Sequence, residues 1–201
     1  MIKKLSFLFF ITGILFIGIG GYKFLKASNS QENSLSEAYT LLENYSKDHA
    51  NLDETIQFQP NIGETVGILS IPKIRAELPI VEGTSEDELE KGVGHYKGTA
   101  YPTQKDQIVL SGHRDTVFRK MGELKIGDKM TVKLPYGSFI YEIEATRIVD
   151  ADDQSIIKST APVEELVVTT CYPFTYIGDA PDRYIIYAKP VINENNVVLS
   201  H

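Results

Sequence analysis

A single cysteine, Cys171, stands among the 201 residues, and it closes an apolar run, Glu165-Leu-Val-Val-Thr-Thr-Cys171. A lone cysteine builds no disulfide within its own chain and no cysteine-rich metal site. It is therefore either an inert buried thiol or a nucleophile. Two other segments bear on that choice. His113 follows the strand-like Gln107-Ile-Val-Leu-Ser111, within Ser-Gly-His-Arg-Asp. Arg183, in Pro-Asp-Arg-Tyr, opens an apolar strand 12 residues after the cysteine.

These three side-chain types suit acyl transfer through a thiol. The thiolate is the attacking species, and a nearby cation favours it over the thiol. An imidazole can protonate an amine leaving group. A fixed guanidinium can donate to the oxyanion that develops on the attacked carbonyl. Each residue also has a plain structural reading. Cysteine is among the most buried residue types. His113 reads equally as a loop histidine, with His95 in Gly-His-Tyr as its competitor, and Arg183 as a surface partner of Asp182 or Asp179. His49 and His201 lie in the stalk and at the terminus, away from any such site.

The elements that must position these groups read mostly as strands. Runs over 65–71, 76–81, 107–111, 129–134, 138–149, 165–170 and 184–188 are separated by turn residues, which predicts seven or eight strands in a closed or nearly closed β-barrel. Pro72-Lys73 marks a bend, Pro79 an edge or bulged strand, and Pro135-Tyr-Gly137 a hairpin. Ser85 and Glu88 form a capping box for a short helix that stops at Gly92. Residues 118–123 read as a helical turn or two. Cys171 falls where Tyr172-Pro173 must end its strand. If that strand pairs with the next as a hairpin, the thiol and the Arg183 guanidinium meet at one rim of the barrel.

The N-terminus is membrane-directed. Lys3 and Lys4 precede an uncharged run from Leu5 to Tyr22, 18 residues long, and Lys23 and Lys26 follow. That length just spans a hydrocarbon core of roughly 30 Å. It exceeds a usual signal-peptide core and no A-x-A-like site follows, so an uncleaved signal-anchor is expected, with a cleaved signal peptide as the alternative. Ala27 to Asn33 reads as a linker. Ser34 to about Thr55 reads as a stalk helix, opened by a Ser34–Glu37 capping box, with Leu35, Ala38, Leu41, Leu42 and Tyr45 on one face. The net charge of −7 argues against a nucleic-acid partner. Asp150, Asp152 and Asp153 lack the glycine-bearing spacing of a calcium loop, so no metal and no cofactor is expected.

Together the three segments resemble the sortases, membrane-anchored cysteine transpeptidases of Gram-positive bacteria. That family's pattern is a histidine after a strand, T-L-x-T-C at the end of a later strand, and an arginine on the strand that follows. His113, Cys171 in Val-Val-Thr-Thr-Cys, and Arg183 occupy these positions, and the resemblance runs from about Thr65 to Pro190. Val167 and Val168 depart from the motif's first two letters. The Ser-Gly-His-Arg-Asp form, and a polar tail without a second span, look most like class D. The resemblance implies a closed eight-stranded β-barrel behind an N-terminal transmembrane helix. Its boundaries would be 1–26 for the anchor, 27–61 for linker and stalk, 62–192 for the catalytic barrel and 193–201 for the tail.

It further implies cleavage of an LPxTG-like sorting signal after threonine, a thioester acyl-enzyme, and release by a peptidoglycan precursor amine. The partners would be surface proteins bearing that signal, acted on at the outer, cell-wall face of the membrane. Cys171 would be the nucleophile and His113 the acid, then base. Arg183 would stabilise the oxyanion or orient the substrate. Thr170 would lend a hydroxyl or backbone N–H, or serve only as a strand threonine. Two rivals stand beside this reading: another β-rich thiol enzyme, such as an L,D-transpeptidase-like cross-linker, and a membrane-tethered binding module with a structural cysteine.

Overall fold

The computed structural model describes residues 2–48, 58–175 and 178–191. His49, the last stretch of the expected stalk helix and the polar tail with His201 lie outside the described residues. Helix α1 runs without a break over Ile2–Asp48. The strands are β1 (Thr65–Ile71), β2 (Ala76–Glu82), β3 (Val93–His95), β4 (Gln107–Ser111), β5 (Lys129–Leu134), β6 (Gly137–Asp150), β7 (Glu165–Tyr172) and β8 (Asp182–Pro190). A second helix, α2 (Glu86–Lys91), lies between β2 and β3. The strands close into a barrel in the order β1-β2-β3-β4-β7-β8-β6-β5.

Local chemistry explains much of this path. Ser85 and Glu88 form the capping box that starts α2, and Gly92 ends it. Pro72–Ile74 is one 3₁₀ turn, closed by Arg75 in the left-handed region. Pro135 and Tyr136 form the loop of the β5–β6 hairpin, in which Leu134 faces Gly137. The helical turn read over 118–123 is a 3₁₀ turn, Met121–Glu123. Pro79 corrects one expectation. β2 is an interior strand, paired with β1 on one side and β3 on the other. The β3 ladder starts at Ile80, so Pro79 sits where only β1 pairs, and its missing N–H interrupts nothing on that side. The irregularity lies instead in β1, between Thr65 and Gly67.

The core fills the barrel. Leu69, Ile80, Leu110, Phe118, Met130, Tyr141, Leu166 and Ile186 are all buried there. Side chains alternate across a strand, so β7 sends Leu166 and Val168 into this core and Val167 to the outside. On the outer face Val167 joins Val109 and Ile185 in a small cluster covered by Ile156 and Ile157 from the β6–β7 connection. Val167 and Val168, which depart from the family motif, are thus both buried strand positions where an apolar side chain is what packing requires.

α1 packs on β1, β2 and α2. Ser34 and Ala38 are buried in that contact. The expected linker over Ala27–Asn33 is helical, since the stretch holds neither proline nor glycine to break the helix. The expected capping box at Ser34 is likewise absent, because the helix passes straight through it. Glu37 instead accepts a hydrogen bond from the Thr65 hydroxyl (2.7 Å). The N-terminal part of α1 is long and apolar enough to cross a membrane, and among its described side chains Phe9, Phe10, Ile14, Phe16 and Ile17 are exposed.

Candidate active site

Cys171 and Arg183 face each other directly across the antiparallel β7–β8 pair. Because Val167 points outward, so does Cys171 four residues on, by strand parity. The expected rim is therefore more accurately the outer face of the barrel near the end of these strands. β4 runs parallel to β7, with Ser111 opposite Thr169. Beyond that pair the Gly112 N–H donates to the Thr169 carbonyl (3.2 Å), and the Thr170 hydroxyl donates to the Gly112 carbonyl (2.7 Å). These two bonds fix the start of the loop that carries His113. Phe118 closes the loop from below by donating its N–H to the His113 carbonyl (3.0 Å).

The three groups line one open cleft of about 550 Å³. Thr84 and Leu89 form one wall, Tyr96 another, and Ile156 and Ile157 a third. The sequence reading missed all of these, because they come from loops and α2 with no motif of their own. Cys171 is a free thiol, partly exposed. Arg183 donates from Nη1 to the carbonyls of Ala180 (3.3 Å) and Asp182 (3.1 Å). Those bonds anchor one end of the guanidinium, and among the described residues its Nε and Nη2 hydrogens have no protein acceptor. The plain structural alternative for Arg183, a pairing with the Asp182 or Asp179 side chain, is not what the side chain does: its bonds go to backbone carbonyls. His113 lines the cleft, and among the described residues neither of its ring nitrogens has a hydrogen-bond partner. Arg114, beside it, donates from Nη2 to the Gly178 carbonyl (2.7 Å) and ties this loop to the β7–β8 connection.

Thr170 is almost fully buried, its hydroxyl donates to the Gly112 carbonyl, and the residue is among those that line the cleft. The parity of β7 carries this information: if Cys171 points out, Thr170 points in. His95 occupies a different setting. It is buried, with Nδ1 2.6 Å from a Glu82 carboxylate oxygen and Nε2 3.0 Å from the Ala100 carbonyl. Its ring stacks on Tyr101, whose hydroxyl donates to the same Glu82 oxygen (2.5 Å). Burial pushes the Glu82 carboxyl up, but the hydrogen bonds from His95 and Tyr101 outweigh it and hold the carboxyl below its usual range. The Tyr101 phenol is raised by burial and by the Glu82 bond.

In the acidic loop, Asp153 caps a short 3₁₀ turn by accepting from the Ser155 N–H (2.9 Å), while Asp150 sits opposite Asp182 in the β6–β8 pair. Among the described residues no three His, Cys, Asp or Glu side chains are arranged to hold a metal ion.

A closed eight-stranded barrel with a free thiol, an arginine and an imidazole on one outer cleft defines a thiol-dependent acyl-transfer scaffold. The Sortase domain family matches residues 69–191. The chain is 52% identical over 196 residues to Sortase D of Bacillus subtilis, covering 94% of this chain and 99% of the relative. It is 31% identical over 153 residues to Sortase SrtE1 of Streptomyces coelicolor, covering 67% of this chain and 42% of that one. A solved structure of a Clostridium perfringens Sortase D5 transpeptidase superposes with a TM-score of 0.67 at 24% identity, covering 81% of this chain and 99% of that one. The chain belongs to the sortase family and is an enzyme, a cysteine transpeptidase.

Proposed function

We propose that Cys171 is the nucleophile of this sortase, with His113 as acid and base and Arg183 as the oxyanion donor. The observation that carries this reading is the Cys171–Arg183 cross-strand pairing in a cleft that His113 also lines. The substrates are surface proteins ending in an LPxTG-like sorting signal. The Cys171 thiolate attacks the threonine carbonyl carbon, and the electron pair moves onto oxygen beside the unfilled guanidinium donors. The carbonyl re-forms, the C–N bond breaks, and the His113 imidazolium gives its proton to the departing amine. An amine of a peptidoglycan precursor then attacks the thioester and passes a proton to His113. The thiolate leaves, and the site is restored. Every proton and electron pair in this cycle comes from the chain and its two substrates, with no cofactor.

In this reading residues 1–26 form the membrane anchor, 27–61 the link, 62–192 the catalytic barrel and 193–201 a tail. The barrel stands on the outer, cell-wall face of a single-pass anchor. Thr170 acts by holding Gly112. The test is cleavage of a panel of LPxTG-variant peptides with the thioester trapped by mass spectrometry. Cys171→Ala abolishes turnover and the adduct, and Arg183→Ala costs at least about 10²-fold in rate, the scale of one lost oxyanion donor. Alkylation of Cys171 only after denaturation would show an inert thiol and refute the assignment.

A further inference from the structure

The wall that Ile156 and Ile157 give the cleft belongs to an irregular stretch. Residues 151–164 join β6 to β7, and the 3₁₀ turn Gln154–Ile156 is the regular element they contain. Connections of that length are ordinarily the mobile parts of a fold. Here the start of β4 grips the stretch from beneath. The Gln107 side chain is almost fully buried. Its Nε2 donates to the Ile156 carbonyl (3.1 Å), and its Oε1 accepts from the Lys158 N–H (3.0 Å). One amide therefore bonds the backbone on both sides of Ile157. Nε2 also lies 3.4 Å from a Glu165 carboxylate oxygen at the start of β7. Asp106, one residue earlier, holds the stretch that follows. Its carboxylate accepts from the Thr160 N–H (2.6 Å), the Ala161 N–H (3.1 Å) and the Ser159 hydroxyl (3.0 Å).

The same face of β4 carries the rest of the support. Val109, two residues on, joins Val167 and Ile185 in the outer cluster against which Ile156 and Ile157 pack. Ser111, two further on, lines the cleft, as does His113 beyond it. A buried amide costs free energy unless its polar atoms are paired, and those of Gln107 find their partners in the wall and at the start of β7. We propose that Gln107 is a positioning residue for substrate binding: its amide holds Ile156 and Ile157 as a finished cleft wall before any peptide arrives. The proposal rests on the function given above. A wall already in place spares the incoming peptide the cost of ordering it. Fixing a single free backbone residue weakens an equilibrium by roughly five- to thirtyfold, so even partial release of this stretch is measurable.

The test uses the full chain in detergent, with the LPxTG-variant peptides for turnover and amide hydrogen exchange over residues 154–161 without peptide. Gln107→Met keeps the length and apolar bulk of the side chain and loses both bonds to the wall. In the free wild type the stretch exchanges slowly, and in Gln107→Met at least about tenfold faster. KM then rises about fivefold or more while kcat stays within about twofold, at a temperature where the variant is fully folded. Asp106 is partly exposed, so Asp106→Ala serves where Gln107→Met does not fold, and it moves KM in the same direction at unchanged kcat. A lowered Tm with KM unmoved overturns the proposal and leaves Gln107 a structural amide. Fast exchange over 154–161 in the free wild type overturns it too, as does a loss confined to kcat. A wild-type chain that cleaves no peptide refutes the assigned activity itself, and the positioning role with it.

Discussion

Thr170→Val isolates the bond that couples the cysteine strand to the histidine loop. Valine keeps the shape of threonine and suits a strand, so packing changes little. What is lost is the donor to the Gly112 carbonyl, 2.7 Å away in a buried setting. A buried carbonyl left without a partner costs about 1–3 kcal/mol. In a domain of this size that lowers Tm by on the order of 5–10 °C. The catalytic effect arises separately. Gly112 immediately precedes His113, the proposed acid and base, and a shift of about 1 Å in a catalytic group costs on the order of 10²-fold. We expect kcat/KM to fall between about tenfold and 10²-fold, mainly in kcat, because the cleft walls that bind the peptide are untouched. Thr170→Ser keeps the donor and stays near wild type in both measures. Thermal unfolding by circular dichroism and peptide cleavage on the detergent-solubilised chain read the two effects. An unchanged Tm would show that the hydroxyl contributes nothing to stability. A lowered Tm with unchanged kcat/KM would refute the coupling of Thr170 to His113.

Other outcomes follow from the two histidine settings. His113→Ala removes peptide turnover at unchanged Tm. His95→Gln lowers Tm while the folded fraction keeps kcat near wild type, and the reverse pattern would exchange the two assignments. The Glu82 carboxyl is held below its usual range, so its stabilisation is present above the unfolded carboxyl pKa of about 4.3 and fades as pH falls through the lower folded value. The Tm gap between wild type and Glu82→Gln is therefore greatest near neutral pH and narrows below about pH 4, as thermal melts across an acid series will read.

Much of the site was legible because it follows from short-range rules. Strand periodicity and the Tyr172-Pro173 stop placed Cys171 at a strand end, and the hairpin assumption brought Arg183 opposite it, as the β7–β8 register has it. The same parity, carried one residue back, assigns Thr170 to the interior. The parallel pairing of β4 with β7 was not legible. It joins Gln107 to Glu165, and no local pattern announces a contact between segments so far apart. The helix through Ala27–Asn33 was misread for a different reason. Its residues are polar, which reads as a linker, but none is proline or glycine, so the helix on either side continues through them. His95 and His113 both look available in the sequence, and only burial and partners separate them.

Barrel order explains why a site of three distant residues can be specified by so few motifs. β4, β7 and β8 are neighbours in the closed sheet, so His113, Cys171 and Arg183 need only adjacent ladders to meet. Other connections of the barrel carry the cleft walls: the β6–β7 stretch supplies Ile156 and Ile157, and the β2–β3 connection with α2 supplies Leu89 and Thr84. Chemistry and recognition are thereby placed on different parts of the chain. The ladders set the register of Cys171 against Arg183 and the start of the His113 loop, and the geometry of the proposed reacting groups tolerates little error. The loops shape what enters, and they can change without moving the ladders. Exchanging Leu89 or Ile157 should therefore alter which peptide is taken, read as KM across a signal panel, at constant kcat on the preferred one. A uniform collapse of kcat for every peptide would mean that these walls also hold the reacting groups, and that the division between ladder and loop is wrong.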